Sequence, residues 1–236
     1  MTIAKAGGTR VARAPDDRQE GSLPDRTACV GTILILAAGR SSRMRGTDKL
    51  LLPVDGQPLL ARVARRAIAT GWRVLVVLPA GNLRRWQCLD GLDLTPVIVG
   101  DTSEGMAASV RAGVAAAGDV PGLMILPADM PDLDTGDMMT LIDAHRARPG
   151  SIHRGTAEGQ PGHPVIFPAA LLAQLLQLTG DTGARQVIRD HDHLVEYHPL
   201  PGNHATTDLD TPEAWARWQA DLGPDHARDA GKETPA

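Results

Sequence analysis

Aromatic and cysteine residues are scarce in this chain of 236 residues, and each scarcity excludes a class of protein. A single Tyr and a single Phe provide few stacking platforms for single-stranded nucleic acid, and a net charge of −4 gives no general attraction to a phosphate backbone. Cys29 and Cys88 lack a Cys-x-x-Cys partner, which favours idle thiols in a cytoplasmic protein over zinc or a disulfide. No apolar run approaches the length that spans a membrane. We therefore expect neither nucleic acid nor a membrane as a partner.

The length of the chain is sufficient for one α/β domain of about 200 residues. We expect this domain over residues 29–222. Residues 1–28 are polar, mixed in charge and without the apolar core of a secretory signal, which predicts a disordered arm or a misplaced start. Residues 223–236 are also polar and predict a disordered tail.

The segment from Ile33 to Pro53 combines a buried strand with a cationic loop. Its first five residues form an apolar run typical of a strand buried on both faces. The run breaks at Ala38-Gly39 into a loop that carries four cations, Arg40, Arg43, Arg45 and Lys49. In open α/β sheets, ligands bind beyond the carboxyl ends of the strands. The segment therefore predicts a polyphosphate site, with a solvated surface loop as the alternative.

Two well-known phosphate-loop patterns are absent from this segment. The dinucleotide fingerprint requires glycine at its first, third and sixth positions, where this chain has Ala37, Gly39 and Ser42. The Gly-Lys-Ser/Thr ending of a P-loop does not follow Gly39 either. If the loop binds phosphate, it therefore does so through neither of these two patterns.

Apolar runs at 72–78, 95–99 and 123–126 predict further buried strands. A helix with apolar residues at three-four spacing is expected between Pro58 and Gly71. Strands and helices that alternate at this spacing predict a single doubly wound, mostly parallel α/β sheet of the Rossmann-like type. Residues 152–154 predict another strand, and residues 159–167 predict a rigid loop.

Several carboxylates lie where a metal could bind. Asp129 directly follows a buried strand, and Mg²⁺ prefers one or two carboxylates together with phosphate oxygens and water. An ordinary turn aspartate before Pro131 is the alternative. Asp208 and Asp210 lie two residues apart, so one of them could complete the site, or Asp210 could cap the helix that begins at Pro212.

The histidines in the second half of the chain could either bind a ligand or be ordinary structural or surface residues. Gly162-His163-Pro164 holds one imidazole in a rigid loop, either for a ligand or as a packed structural histidine. His191, His193 and His198 resemble a metal cluster, but they straddle a predicted turn and strand. We therefore expect these three to be separate surface groups.

The motifs together resemble the MobA-like nucleotidyltransferases, and most of all their molybdenum cofactor cytidylyltransferase branch. The resemblance extends over residues 33–220 and rests on Leu36–Met44 with Lys49–Pro53, Gly105-Met106 with Ser109, Ala128–Pro131, Gly180–Arg185 and Asp208–Pro212. Two departures are visible: the loop before Lys49 is one residue longer than usual, and Gln160 stands where the family usually has an arginine.

The resemblance implies Mg²⁺-dependent transfer of CMP from CTP to the terminal phosphate of molybdopterin, with release of pyrophosphate. It implies catalytic roles for Arg43, Lys49 and Asp129, and metal binding by Asp129, Asp208 and Asp210. The implied nucleotide-binding residues are Leu36, Ala37, Ala38, Gly39, Ser41, Arg43, Lys49, Pro79, Gly105 and Ser109. The implied acceptor-binding residues are Gly162, His163, Pro164, Asp181 and Arg185.

Three alternatives stay open at this point. GTP could replace CTP, since the preference for CTP rests on Ala38, where guanylyl relatives tend to have glycine. Another phosphorylated small molecule could be the acceptor on the same fold. The protein could also be a non-catalytic chaperone that delivers the cofactor to a molybdenum hydroxylase apoenzyme.

Overall fold

The computed structural model describes residues 31–100, 105–180 and 183–221. The strands are β1 Thr32–Leu36, β2 Pro53–Val54, β3 Gln57–Pro58, β4 Arg73–Pro79, β5 Thr95–Val99, β6 Gly122–Pro127, β7 Ile152–Ala157, β8 Gln160–Pro168 and β9 Val195–Pro199. The helices are α1 Leu59–Ile68, α2 Leu83–Gln87, α3 Met106–Ala117, α4 Thr135–Ala147, α5 Leu172–Leu175, α6 Arg185–Asp190 and α7 Pro212–Asp221. Cys29, Asp181 and both predicted tails lie outside the described residues.

Within the described part of the chain, a central sheet of seven strands has the order β5-β4-β1-β6-β8-β7-β9. Strands β5, β4, β1 and β6 are parallel, and β1 lies in the middle of them. Ile33, Leu34 and Ile35 have no exposed surface, as expected for a strand covered on both faces. The register places Leu36 beside Val77 and Pro127, so the loops that follow β1, β4 and β6 emerge at one edge.

Helices cover both faces of the sheet. Helices α1, α4 and α7 pack on one face, where Leu60, Leu141 and Trp215 join one apolar cluster. Helices α3, α5 and α6 pack on the other face, where Val110 and Leu175 join a second cluster. This three-layer arrangement confirms the doubly wound, mostly parallel α/β fold that the alternating pattern predicts.

Residues 159–167 form most of strand β8 rather than the predicted loop. Their apolar end, Val165 to Phe167, is fully buried, and β8 runs antiparallel to both β6 and β7. Glu158 and Gly159 connect β7 to β8 with positive φ angles of 50° and 78°. A two-residue turn with both φ angles positive matches the twist of a hairpin, which explains why the chain folds back here.

The segment after Pro168 forms only short helical turns. It consists of a 3₁₀ turn, Ala169–Leu171, followed by the single turn of α5. None of the described helices is long and apolar enough to cross a membrane.

Candidate active site

A cavity of about 440 Å³ opens at the carboxyl edge of β1 and β6. Its lining consists of Leu36, Ala38, Gly39, Arg40, Ser41, Ser42, Arg43, Lys49, Leu50, Gly105, Met106, Ser109, Pro127, Asp129 and Asp210. The structure thus brings together residues from four separate predicted motifs at one place. Ala37 lies buried beneath this cavity, and Pro79 lines a neighbouring depression of about 330 Å³ on the other side of the same loop.

Arg85 organises the cationic loop between β1 and β2 from below. Its side chain is only 2 % exposed, although it lies on the short surface helix α2. Its guanidinium donates hydrogen bonds to the backbone oxygens of Ala37 at 2.6 Å and Gly39 at 2.8 Å. It also forks onto both carboxylate oxygens of Asp48 at 2.7 Å and reaches the Ser41 hydroxyl at 3.2 Å. One buried cation thereby fixes both ends of the loop.

Asp48 is the anionic partner in this arrangement. Burial alone would raise the pKa of its carboxyl, but the hydrogen bonds and charge of Arg85 hold that pKa below its usual value. Asn82 and the Leu50 backbone also donate to Asp48. Sequence reasoning missed Arg85, because Arg84 beside it on the same helix is exposed and nothing in the sequence distinguishes the two.

Lys49 lies between two carboxylates at the floor of the cavity. Its ammonium contacts Asp129 Oδ2 and lies 2.5 Å from Asp210 Oδ1, and the residue is only 8 % exposed. Burial would lower the pKa of Lys49, but the two carboxylates raise it above its usual value, so the side chain stays charged. In this state Lys49 binds carboxylates, whereas the resemblance implies that it binds phosphate.

Asp210 also meets Arg43, which approaches from the rim of the loop. Arg43 Nη1 lies 2.5 Å from Asp210 Oδ2, although 70 % of the arginine side chain is exposed. Burial would raise the pKa of Asp210, but hydrogen bonds from Lys49 and the charges of Lys49 and Arg43 hold that pKa below its usual value. This pair joins two segments that are 167 positions apart in the sequence.

The third candidate carboxylate, Asp208, lies at the edge of this group. The residue is exposed overall, yet partial burial of its carboxyl and repulsion from Asp210 and Asp129 raise its pKa. The backbone of Leu209 donates to the Asp129 carbonyl at 3.2 Å, which holds this segment beside the end of β6. Burial is the larger cause of this raised pKa, and the repulsion shows that the three carboxylates lie near one another. Oxygen ligands of this kind fit a hard divalent cation.

The start of α3 forms the opposite wall of the cavity. Gly105 precedes the helix with a φ of 72°, and Ser109 is buried one turn later. The Ala107 backbone donates to the Gly180 carbonyl at 3.1 Å. Gly183, with a φ of 55°, packs so closely on Met106 that a side chain there would lie 2.7 Å from its sulfur. Two motifs far apart in the sequence therefore pack against each other behind this wall.

Of the predicted acceptor-binding residues, the four that the structure describes lie on β8 and at the start of α6, beside this wall. Gly162 touches the Ala205 carbonyl so closely that an added Cβ would lie 1.8 Å from its oxygen, and the His163 backbone donates to the same carbonyl at 2.8 Å. Pro164 is buried and Arg185 is exposed. None of these residues lines the cavity that contains Asp129.

His163 is neutral in the folded protein. Its residue surface is partly exposed, but its Nδ1 atom is buried and has no hydrogen-bond partner. Burial, with the charge of Arg154 as the next cause, lowers the pKa of His163 to about 4. Arg154 was missed by sequence reasoning; it lies on β7 and donates to the Gly162 carbonyl at 3.0 Å. It therefore holds the Gly-His-Pro segment in place.

Comparisons with known proteins agree with this geometry. The sequence profile of the MobA-like NTP transferase domain matches residues 33–195. The molybdenum cofactor cytidylyltransferase of Escherichia coli K12 is 30% identical over 185 residues, which cover 76% of this chain and 91% of that protein. The nicotine blue oxidoreductase of Paenarthrobacter nicotinovorans is 29% identical over 198 residues, which cover 80% and 96%. Other relatives are named molybdenum cofactor guanylyltransferases.

Solved structures show the same fold. The structure of Rv0371c from Mycobacterium tuberculosis H37Rv superposes with a TM-score of 0.73 at 27% identity and covers 81% of this chain and 97% of that one. The profile match spans most of the described sheet and includes the loop of Arg43 and Lys49 as well as Asp129. The chain is therefore a nucleotidyltransferase and belongs to the MobA-like NTP transferase family.

Proposed function

We propose that this protein transfers CMP from CTP to the terminal phosphate of molybdenum cofactor and releases pyrophosphate. The observation that carries the proposal is the cavity at the carboxyl edge of the sheet. There, Arg43 and Lys49 face Asp129 and Asp210. A metal-bound triphosphate needs cationic side chains for its phosphates and carboxylates for its metal ion, and this cavity offers both.

Positioning and charge stabilisation account for catalysis of this kind. The acceptor phosphate provides the attacking oxygen, so no nucleophilic side chain is required. We assign Arg43 and Lys49 to the phosphates, where their charges oppose the negative charge that develops as pyrophosphate leaves. The backbone at Gly39 and Ser41, held by Arg85, shapes the loop around the phosphates.

Nucleotidyltransferases of this kind depend on a divalent metal, and we propose Mg²⁺. Asp129 and Asp210 would hold it, with Asp208 beside them. When bound, the ion would neutralise phosphate charge and orient the α-phosphoryl group. The oxygen-only donor set and the raised pKa of Asp208 support this assignment.

The acceptor side is proposed around Gly162, His163, Pro164, Arg185 and the undescribed Asp181. The guanidinium of Arg185 suits a phosphate, and the neutral imidazole of His163 can donate or accept one hydrogen bond without adding charge. Molybdenum cofactor appears in the names of relatives called guanylyltransferases and of the relative called a cytidylyltransferase.

The preference for CTP rests on Ala38. This residue is only 4 % exposed and lines the cavity directly after β1. Its methyl group takes up space that glycine would leave open, which favours a pyrimidine over the larger purine. Leu36, Gly105 and Ser109 complete the proposed nucleotide-binding surface.

Pyrophosphate release tests the proposal directly. We expect release with Mg²⁺, molybdenum cofactor and CTP, and much less with GTP, ATP or UTP. Asp129→Asn should abolish release while the thermal unfolding midpoint changes little, whereas the exposed Asp143→Asn serves as a matched control with full activity. Release with GTP alone would move the protein to guanylyl transfer, and an active Asp129→Asn variant would refute the metal assignment.

A non-catalytic carrier of the cofactor is the second candidate function. The contact that favours it is the pairing of Lys49 with two carboxylates, which already neutralise the charge of this cation. A carrier would bind molybdenum cofactor without releasing pyrophosphate from any nucleotide, and would hand the cofactor to a molybdenum hydroxylase apoenzyme. Equilibrium binding of the cofactor beside the release assay separates the two functions.

A further inference from the structure

A second cluster of possible metal ligands lies at the far edge of the sheet, away from the nucleotide cavity. Strands β7 and β9 pair in parallel there, with His153 aligned to Glu196 and Gly155 to His198. Because side chains alternate along a strand, Glu196 and His198 lie on one face and flank His153. One ligand atom from each of the three residues lies within 4.8 Å of the others. His198 is therefore not the isolated surface group that its sequence position predicts.

The hydrogen bond of His153 fixes which of its nitrogens is available. The residue has no exposed surface, and its Nε2 lies 3.0 Å from the Arg148 carbonyl oxygen. A carbonyl can only accept, so Nε2 carries the proton and Nδ1 presents a lone pair towards Glu196 and His198. Metal-binding histidines are commonly held in this way, with the second ring nitrogen bonded to a backbone carbonyl.

Glu196 contributes an oxygen that has no hydrogen bond. Its Oε1 accepts from the Ser151 hydroxyl at 2.8 Å. Its Oε2 is buried and has no hydrogen bond, although the exposed guanidinium of Arg148 lies 2.5 Å away outside hydrogen-bonding geometry. The direct contact of His198 Nε2 with His153 Nδ1, at 3.0 Å, satisfies the two rings alone and leaves this oxygen to its ion pair with the exposed Arg148. A cation would satisfy all three groups.

We propose that His153, Glu196 and His198 bind a divalent transition metal, with Zn²⁺ as the best fit. Two imidazoles and one carboxylate match zinc and disfavour the oxygen-seeking Mg²⁺ and Ca²⁺. Zinc ligands at about 2.0–2.2 Å lie roughly 3.3 Å from one another in a tetrahedron. The present separations from His153 Nδ1, 3.0 Å to His198 and 3.9 Å to Glu196 Oε2, are close to that value. His198 is partly exposed, so water can fill the fourth position.

The proposed ion has a structural consequence for the nucleotide site. Among the described strands, β9 is the last in the sheet and pairs with β7 alone. From its end, Leu200 bonds back to Thr156, and the chain then continues to Asp208 and Asp210. An ion shared by the two strands would fasten the edge strand from which this segment departs. The site is independent of the proposed function, because it shares no residue with the nucleotide cavity.

Titration with Co²⁺, in the presence of saturating Mg²⁺, tests the proposal on the full-length protein. We expect one equivalent to bind and to give the intense visible absorption of a four- or five-coordinate site. His198→Gln and Glu196→Gln should each weaken binding by about tenfold or more. The matched control is His193→Gln, whose exposed ring lies outside the cluster and should leave binding unchanged.

The same titration followed by NMR of the histidine ring nitrogens in the unmodified protein removes dependence on the variants. We expect Zn²⁺ to shift His153 and His198 alone. Absence of binding, equal binding by all variants, or shifts at His191 and His193 instead would overturn the proposal. Binding that excess Mg²⁺ displaces would place the ion among Asp129, Asp208 and Asp210 and would equally overturn it.

Discussion

Replacement of Arg85 by alanine tests whether one buried cation shapes the phosphate loop. The side chain joins helix α2 to both ends of the loop through Ala37, Gly39 and Asp48. Without it, two backbone carbonyls and one carboxylate lose their main donor. Asp48 keeps hydrogen bonds from Asn82 and Leu50, so its charge is not left entirely unpaired.

The size of the effect follows from these contacts. Removal of one partner of a buried ion pair costs about 3–5 kcal/mol of unfolding free energy. The Asp48 side chain is 20% exposed and keeps two donors, so we expect the lower end, about 3 kcal/mol. For a domain of this size, that loss lowers the unfolding midpoint by roughly 6–12 °C. Displacement of the loop by about 1 Å should reduce kcat/KM for the nucleotide by about a hundredfold.

Thermal unfolding and pyrophosphate release would be measured on Arg85→Ala, Arg85→Lys and Arg84→Ala. Arg84 is exposed on the same helix, so its removal should change stability by less than about 0.5 kcal/mol. Lysine keeps the charge but cannot fork onto Asp48, so it should fall between the other two. If Arg85→Ala were as stable as Arg84→Ala, or lost stability while keeping the KM for the nucleotide, the role in shaping the loop would be refuted.

Two further predictions concern Ala38 and His163. Ala38→Gly should raise the ratio of GTP to CTP turnover by about tenfold, the effect of one methyl group in a pocket, and an unchanged ratio would show that the base lies elsewhere. His163 binds its proton at a pKa of about 4 when folded but at 6.5 when unfolded, so unfolded chains bind more protons between these values and stability falls as the pH drops from 6.5 to 4. The decline attributable to His163 is at most about 3 kcal/mol, and urea unfolding of His163→Asn across this pH range should lack it; equal slopes for both proteins would contradict the buried, neutral imidazole.

The central sheet could be predicted because several of its strands can be recognised from their own residues alone. β1, β4 and β6 are apolar runs buried on both faces, and their alternation with helices determines a parallel order. Strand β8 could not be predicted in the same way. Gly162 and Pro164 resemble loop residues, and only the pairing with β6 and β7, together with the Glu158-Gly159 turn, makes the segment a strand. Tertiary pairing outweighs local propensity there.

The candidate site likewise contains some residues that could be predicted from the sequence and others that could not. Motifs that directly follow strands, such as Asp129, could be placed from the sequence because the topology carries them to one edge. Arg85, Arg154 and the pairing of His153 with His198 could not, because each depends on a contact between elements that are not neighbours in sequence. Residues that hold the site in place therefore form no short sequence motif, because they come from elements that lie far apart in the sequence.

The charges around Lys49 explain why a nucleotide should enter together with its cation. Lys49 and Arg43 form ion pairs with Asp129 and Asp210, Asp208 adds a negative charge beside them, and Arg40 adds a positive charge to the cavity lining. The carboxylates of this site attract a divalent cation, and its cations attract phosphate. Once a divalent cation neutralises the carboxylates, Lys49 is no longer needed between Asp129 and Asp210. Its ammonium is already at the cavity floor, where phosphate would lie. The ion pairs of the nucleotide-free protein are therefore compatible with transfer chemistry. They hold the carboxylates and the lysine together until the metal ion binds the carboxylates and phosphate binds the lysine.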